Sequence, residues 1–302
     1  MPLFSLRCLL SGHQGSVYTL DYDRESDTLR SGGGDRIVAA WKPDGGSMQD
    51  GIMLARAADA VYSLAQIGNT LYVGQGVGGI HLINLEDRTE ARLLQPHEGP
   101  VFGIYPRNEE GLITFISGDG TLSRYTIGTH EPLSRIRLSE KKLRSLVRHP
   151  DQSCDLIACG DGSIVLIDPV KSTVRDRIRV CDPEFSINAI AFFPDGRHFI
   201  CAGRDAMLYT YEWGTMKCID SIPAHNYAVY GIAFEQNGHR FATVSRDKTA
   251  KIWDAKAIQV LQRLEGNDGK GHVHSVNTLL WLPDGSLATA GDDRAVRIWS
   301  ES

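Results

Sequence analysis

No stretch of this 302-residue chain is long and apolar enough to cross a membrane as a helix. Its six cysteines, Cys8, Cys154, Cys159, Cys181, Cys201 and Cys218, contain no C-x-x-C pair, so the usual spacing of a zinc or dithiol site is missing. Several lie in apolar, strand-like runs (156–159 and 199–201) and read as small buried hydrophobes in a reducing compartment, which makes a cytoplasmic location the expectation. The first ten residues carry Arg7 in their middle and no small-residue cleavage site, unlike a signal peptide. There is no basic excess: 32 Lys and Arg stand against 37 Asp and Glu, a net charge of −5, which argues against nucleic acid as a partner. No P-loop is present. The Gly-rich stretches at 32–34 and 74–79 fall between strand signals and read as turns. Helical periodicity is weak throughout, and no metal-ligand cluster with usable spacing is found, so no cofactor is expected.

What the chain does have is a period. "DRIVAAWKP" at 35–43, "DKTAKIWDA" at 247–255 and "DRAVRIWSE" at 293–301 each place an Asp six residues before a Trp. Asp119 with Tyr125, Asp205 with Tyr211 and Asp161 with Ile167 keep that spacing, and Val77 with Ile83 is a degenerate copy. The anchors 41, 83, 125, 167, 211, 253 and 299 are separated by 42, 42, 42, 44, 42 and 46 residues. A period in the low forties with four strand signals per unit is the period of a propeller blade. In the sixth unit the strands are expected at 229–234, 241–244, 249–253 and 258–264, with turn signals such as Gln236-Asn237-Gly238 between them. The seventh unit has strand signals at 276–281, 286–290 and 295–299 and then lacks a fourth.

These residues resemble the WD-repeat family, and the resemblance runs over the whole chain. Gly12-His13, His97 and Ala224-His225 each precede the anchor by 28 residues, counted from the His, and Gly271-His272 by 27. The resemblance implies an all-β fold, a seven-bladed β-propeller of four-stranded antiparallel blades forming one domain over 1–302. It also implies that a strand at about 3–10 supplies the missing fourth strand of the last blade, at about 273–300, and so covers an open edge. It implies further that a His in the loop before a blade bonds the turn Asp and a Ser or Thr, which in turn bonds the Trp indole. Those sets would be His13, Ser31, Asp35 and Trp41; His225, Thr243, Asp247 and Trp253; and His272, Thr289, Asp293 and Trp299. The third blade keeps His97 and Asp119 but has Phe115 at the hydroxyl position; blades two, four and five lack the His. A Ser-His-Asp set could be taken for a catalytic triad, but a nucleophilic site occurs once per chain, and this set recurs three times at one spacing.

Fold does not give function. In WD-repeat proteins the residue after the aliphatic that starts each first strand tends to face the channel opening, as does the residue before the turn Asp. Here the first position holds Tyr18, Tyr62, Phe102, Arg144, Asn188, Tyr230 and Asn277, and the second holds Gly34, Gly76, Gly118, Gly160, Arg204, Arg246 and Asp292. Aromatics and arginines are enriched at binding hot spots. The candidate partner-binding residues are therefore Tyr18, Tyr62, Phe102, Arg144, Arg204, Tyr230 and Arg246, and the expected function is a non-catalytic platform for a protein or peptide, acidic in character. The basic stretch Arg135, Arg137, Lys141, Lys142, Arg144 and Arg148 reads first as a solvated face and second as a surface for such a partner. The rival readings are a structural subunit docked through its blade sides and, further off, a propeller hydrolase. The oligomeric state stays open.

Overall fold

The computed structural model describes residues 4–44, 51–266 and 269–301. It contains seven four-stranded sheets divided between two compact units.

The first unit, Met1–Val61 with His225–Ser302, holds three sheets. One runs β2 to β5 in order (Val17–Asp23, Thr28–Gly33, Ile37–Trp41, Ile52–Arg56), and another β22 to β25 (Val229–Phe234, Arg240–Ser245, Ala250–Asp254, Gln259–Leu264). The third combines β26 (Val276–Trp281), β27 (Leu287–Gly291) and β28 (Ala295–Glu301) with β1 (Phe4–Ser11). Strand β1 pairs antiparallel with β28 from Phe4↔Glu301 to Ser11↔Ala295, so the two ends of the chain share one sheet. Leu3, the expected start of that strand, lies outside the described residues. The side chain of Gln262 makes two further rungs to the same strand: the Phe4 amide donates to its carbonyl at 2.7 Å, and its amide donates to the Phe4 carbonyl at 2.8 Å. Arg240 covers the other side of this junction. It bonds both carboxylate oxygens of Glu235 and that of Glu301, and stacks 5.0 Å from the Phe4 ring.

The second unit, Tyr62–Ala224, holds four sheets in sequence order. They are β6 to β9 (Val61–Ile67, Thr70–Gln75, Ile80–Asn84, Glu90–Leu94), β10 to β13 (Val101–Arg107, Leu112–Ser117, Thr121–Thr126, Pro132–Arg137), β14 to β17 (Leu143–Arg148, Asp155–Cys159, Ser163–Ile167, Val174–Arg179) and β18 to β21 (Ile187–Phe192, His198–Gly203, Met207–Glu212, Lys217–Pro223).

The strand sequences follow from their depth. Middle strands are covered on both faces and are mostly apolar after a polar first residue, as in β15 (DLIAC) and β16 (SIVLI), where every residue is buried. The fourth strands are edges, and β17 (VRDRIR) and β21 (KCIDSIP) put charge and polarity into the exposed positions. Hydrophobic side chains from adjacent sheets pack together within each unit. Leu10, Val17, Leu29, Val296 and Ile298 form one such cluster, and Leu156, Ile164, Ile190, Phe199 and Tyr211 another.

All six cysteines are free thiols. Cys8, Cys154, Cys159 and Cys201 are buried as expected of small hydrophobes, whereas Cys181 is half-buried and Cys218 is exposed on the edge strand β21.

Candidate functional site

Two kinds of site residue recur from sheet to sheet, one internal and one facing outward. The internal kind is the His-centred set. In the first sheet His13 Nδ1 lies 2.8 Å from the Asp35 carboxylate and Nε2 lies 2.7 Å from Ser31 Oγ, which accepts the Trp41 indole N–H at 2.7 Å. The sheet of β22 to β25 repeats this with His225, Asp247 (2.9 Å), Thr243 (2.7 Å) and Trp253 (2.9 Å). The last sheet has His272, Asp293 (3.0 Å), Thr289 (2.9 Å) and Trp299 (2.9 Å). Ser31, Thr243 and Thr289 are wholly buried, and each hydroxyl is already bonded to both the His and the indole. No incoming carbonyl could reach a nucleophile so placed, so the geometry is that of a structural clamp. Burial is the largest effect on the His225 and His272 imidazoles and pushes both below the ordinary range.

The blades that depart from this pattern replace its parts locally. In the sheet of β10 to β13, Phe115 occupies the hydroxyl position, and Ser123, directly across the ladder from it, supplies the hydroxyl to His97 Nε2 at 2.9 Å. Thr121 takes Nδ1 at 2.8 Å, and Asp119 stands back at 3.6 Å. Burial then dominates and lowers the His97 imidazole to about 4. In the next sheet Ser139 stands in for the missing His and bonds Asp161 at 3.2 Å; in the one after, the Tyr209 hydroxyl reaches Asp205 at 2.8 Å. The cross-strand exchange between Phe115 and Ser123 leaves no spacing signal along the chain, which is why the sequence pattern missed it.

The outward-facing kind sits on bulges. In six sheets the first ladder shifts register at the same place: Val17 pairs with Gly33 and Thr19 with Gly32, leaving Tyr18 as the extra residue. Phe102, Arg144, Asn188, Tyr230 and Asn277 are the extra residues in the same way. A bulge re-aims its extra side chain: Tyr18, Phe102, Arg144, Tyr230 and Asn277 are half-buried there, whereas Asn188 is buried.

Within the second unit three of the expected residues come together. The Tyr62 and Phe102 rings meet edge to face at 5.4 Å between centroids, and the Arg144 guanidinium lies 4.5 Å above the Phe102 ring. All three are half-buried, and Lys142 approaches the same ring at 6.0 Å. Gly118 makes room for the stack: a Cβ there would stand 3.0 Å from the Phe102 ring and 3.1 Å from Pro100. Arg204 does not join the stack. It is exposed and donates to the Glu184 carbonyl at 3.4 Å. In the first unit Tyr18 and Tyr230 are half-buried on their bulges, a Cβ at Gly34 would stand 3.5 Å from the Tyr18 ring, and Arg246 is exposed.

The basic stretch does not form one face. Arg135 bonds Asp119 at 3.3 Å, Arg137 the Asp119 carbonyl at 2.9 Å, and Lys141 the Pro183 carbonyl at 3.2 Å. Arg148 turns inward to a buried carboxylate, Asp155, at 3.6 Å. Arg107 also meets Asp155, at 2.8 Å, as does Arg124, at 3.6 Å. Only Lys142 and Arg144 are directed at the aromatic stack.

Comparison with known proteins supplies a context for this geometry. The family described as WD domain, G-beta repeat, matches residues 4–42, 177–212, 216–254 and 260–300, just over half of the chain. Among curated relatives, the 66 kDa stress protein of Physarum polycephalum is 22% identical over 96% of this chain and 47% of its own. Echinoderm microtubule-associated protein-like 2 of Rattus norvegicus is 25% identical over 82% and 38%. The chain thus spans less than half the length of these two. Eukaryotic translation initiation factor 3 subunit I of Drosophila willistoni is 26% identical over 96% of this chain and 83% of its own. The crystal structure of the WD40 beta propeller domain of Doa1 superposes with a TM-score of 0.84 at 19% identity, covering 99% of this chain and 97% of that one. At that identity the likeness shows the fold, a seven-bladed propeller.

Proposed function

We propose, for a chain that belongs to the WD40 family of WD-domain, G-beta repeats, that it acts as a non-catalytic platform for a protein partner and takes an extended segment with an apolar anchor and acidic neighbours. A role in protein interaction or scaffolding fits its WD40 relatives. The observation that carries the finer reading is the stack of Tyr62, Phe102 and Arg144. Two rings and a guanidinium meet at half-burial, Phe102 and Arg144 re-aimed by the bulges they sit on. The rings supply apolar area to an anchor; Arg144 and Lys142 supply charge-assisted bonds to neighbouring carboxylates. Tyr18 and Tyr230 occupy the equivalent bulges of the first unit and extend the same chemistry to those blades. Binding of this kind leaves the partner chemically unchanged.

The test is affinity capture with quantitative mass spectrometry, comparing wild type with a Phe102→Ala, Arg144→Ala variant whose melting curve is normal. Loss of specific partners from the variant is the expected result. Equal recovery would remove the stack from the binding site. One observation favours a second reading, a structural subunit docked through its blade sides: the match to an initiation factor subunit covers most of both chains. Equal recovery with the variant would favour it.

A further inference from the structure

The turn aspartates are capped unequally. At the ladder rung beside each one, the third and fourth strands present a pair of side chains. In four blades that pair includes a base. Ser123 pairs with Arg135, and Arg135 bonds Asp119 at 3.3 Å. Val165 pairs with Arg177, which bonds Asp161 at 3.3 Å. Lys251 pairs with Arg263, and Lys251 lies within the field of Asp247 and 5.7 Å from the Trp253 ring. Arg297 pairs with Leu9 and bonds Asp293 at 2.6 Å and His272 at 3.0 Å. A fifth blade uses the Tyr209 hydroxyl.

The first blade has Ala39 paired with Met53 at this rung. Neither can reach a carboxylate with a donor. The result is a cavity of about 130 Å³ lined by His13, Asp35, Ile37, Ala39, Trp41 and Met53, with Gly12 and Gly51 at its margin. Among the described residues Asp35 has one ion-pair partner, His13, and its other bonds come from the Gln14 and Ile37 amides. Arg36, next to Asp35 in the turn, and Arg56, paired with Ile37, are both exposed, and Lys42, just after β4, is committed to the Ser26 and Asp27 carbonyls. The sequence from 45 to 50, GGSMQD, offers no base. Burial would raise the Asp35 carboxyl, but the Gln14 amide and the His13 imidazole outweigh it and hold it below the ordinary range, so it is an anion at neutral pH.

We infer that this cavity is a binding site for a basic side chain of a partner protein, arginine above lysine, whose guanidinium takes at Asp35 the place that Arg297 takes at Asp293. The Trp41 ring and the Met53 side chain, 54% exposed on the edge strand β5, would cover the aliphatic stem. The free edge of β5 gives an extended segment carrying that arginine a ladder to run along. The site is separate in chemistry from the Phe102 stack: it selects a base, whereas the stack selects an anchor with acidic neighbours.

The probe is N-acetyl-arginine methylamide, titrated into the full chain while the Trp41 indole N–H is followed by NMR; N-acetyl-citrulline methylamide is the neutral control of the same shape. The expected result is a saturable shift of the Trp41 signal with the arginine compound and none with citrulline. Met53→Arg and Ala39→Arg place a base at the rung as Arg135 and Arg297 do, and each should abolish the shift and raise the melting temperature. Met53 is exposed, so its variant keeps the test alive should Ala39→Arg fail to fold. No shift with wild type, an equal shift with citrulline, or a shift that survives in Met53→Arg would overturn the assignment.

Discussion

At the scale of the residue, the fold depends on polar groups buried with their partners in place. Asp247 accepts from His225, Thr249 and the Asn226 amide at once, so Asp247→Ala leaves several donors unmet and should destabilise by about 1–3 kcal/mol in a denaturant titration. The imidazoles give a pH dependence of definite sign. His97 is lowered by burial from its ordinary value to about 4, so between pH 4 and 6.5 the unfolded chain binds a proton that the folded chain refuses. Stability is therefore full above pH 6.5 and falls as the pH drops towards 4, by on the order of 3 kcal/mol from His97 alone. The lowered His225 and His272 act in the same direction. Melting temperatures across that range should fall with acid, and His97→Gln should flatten the fall. The repeated Asp-to-Trp spacing points to the regular sets because their members sit at fixed separations along the chain. The substitute hydroxyl of Ser123 is not legible there, because it faces His97 only once β11 and β12 are paired.

At the scale of the element, the seven anchors at 41, 83, 125, 167, 211, 253 and 299 all fall in third strands, and the expected 229–234 and 276–281 coincide with β22 and β26. The period carries this information because each blade repeats one strand–turn pattern. Boundaries elsewhere differ by a residue or two, as in β23, which spans Arg240–Ser245 against an expected 241–244, since turn residues continue the ladder at strand ends. The bulges were not legible: register is a property of a pair of strands, and nothing in VYTLDYD announces that Tyr18 is the extra residue. Nor was the fate of the basic stretch legible. A run of bases reads as a solvated face, yet Arg148 is drawn to Asp155, which is 1% exposed and also faces Arg107 and Arg124. Removing that single carboxylate takes the ion-pair partner from the buried Arg124 and leaves the buried Arg107 with Glu110 alone. Asp155→Ala should therefore cost about 3–5 kcal/mol, a larger loss than any turn aspartate, and thermal unfolding of the two variants side by side would show it.

At the scale of the whole molecule, the chain has the fold of a seven-bladed propeller whose last sheet is completed by the N-terminal strand. The function does not follow from that fold, which is shared by relatives with quite different names. The proposed platform role rests instead on which side chains the first strands present together. Of the seven residues singled out in the sequence, Tyr62, Phe102 and Arg144 form a contiguous stack, and Arg204 stands apart as an exposed guanidinium bonded to the Glu184 carbonyl in the segment before β18. The most direct measurement is amide hydrogen exchange of the protein alone and bound to a partner recovered by affinity capture. The account expects new protection at the starts of β6, β10 and β14, around Tyr62, Phe102 and Arg144. Protection confined to the outer strands, with those three segments exchanging as they do in the free protein, would contradict it.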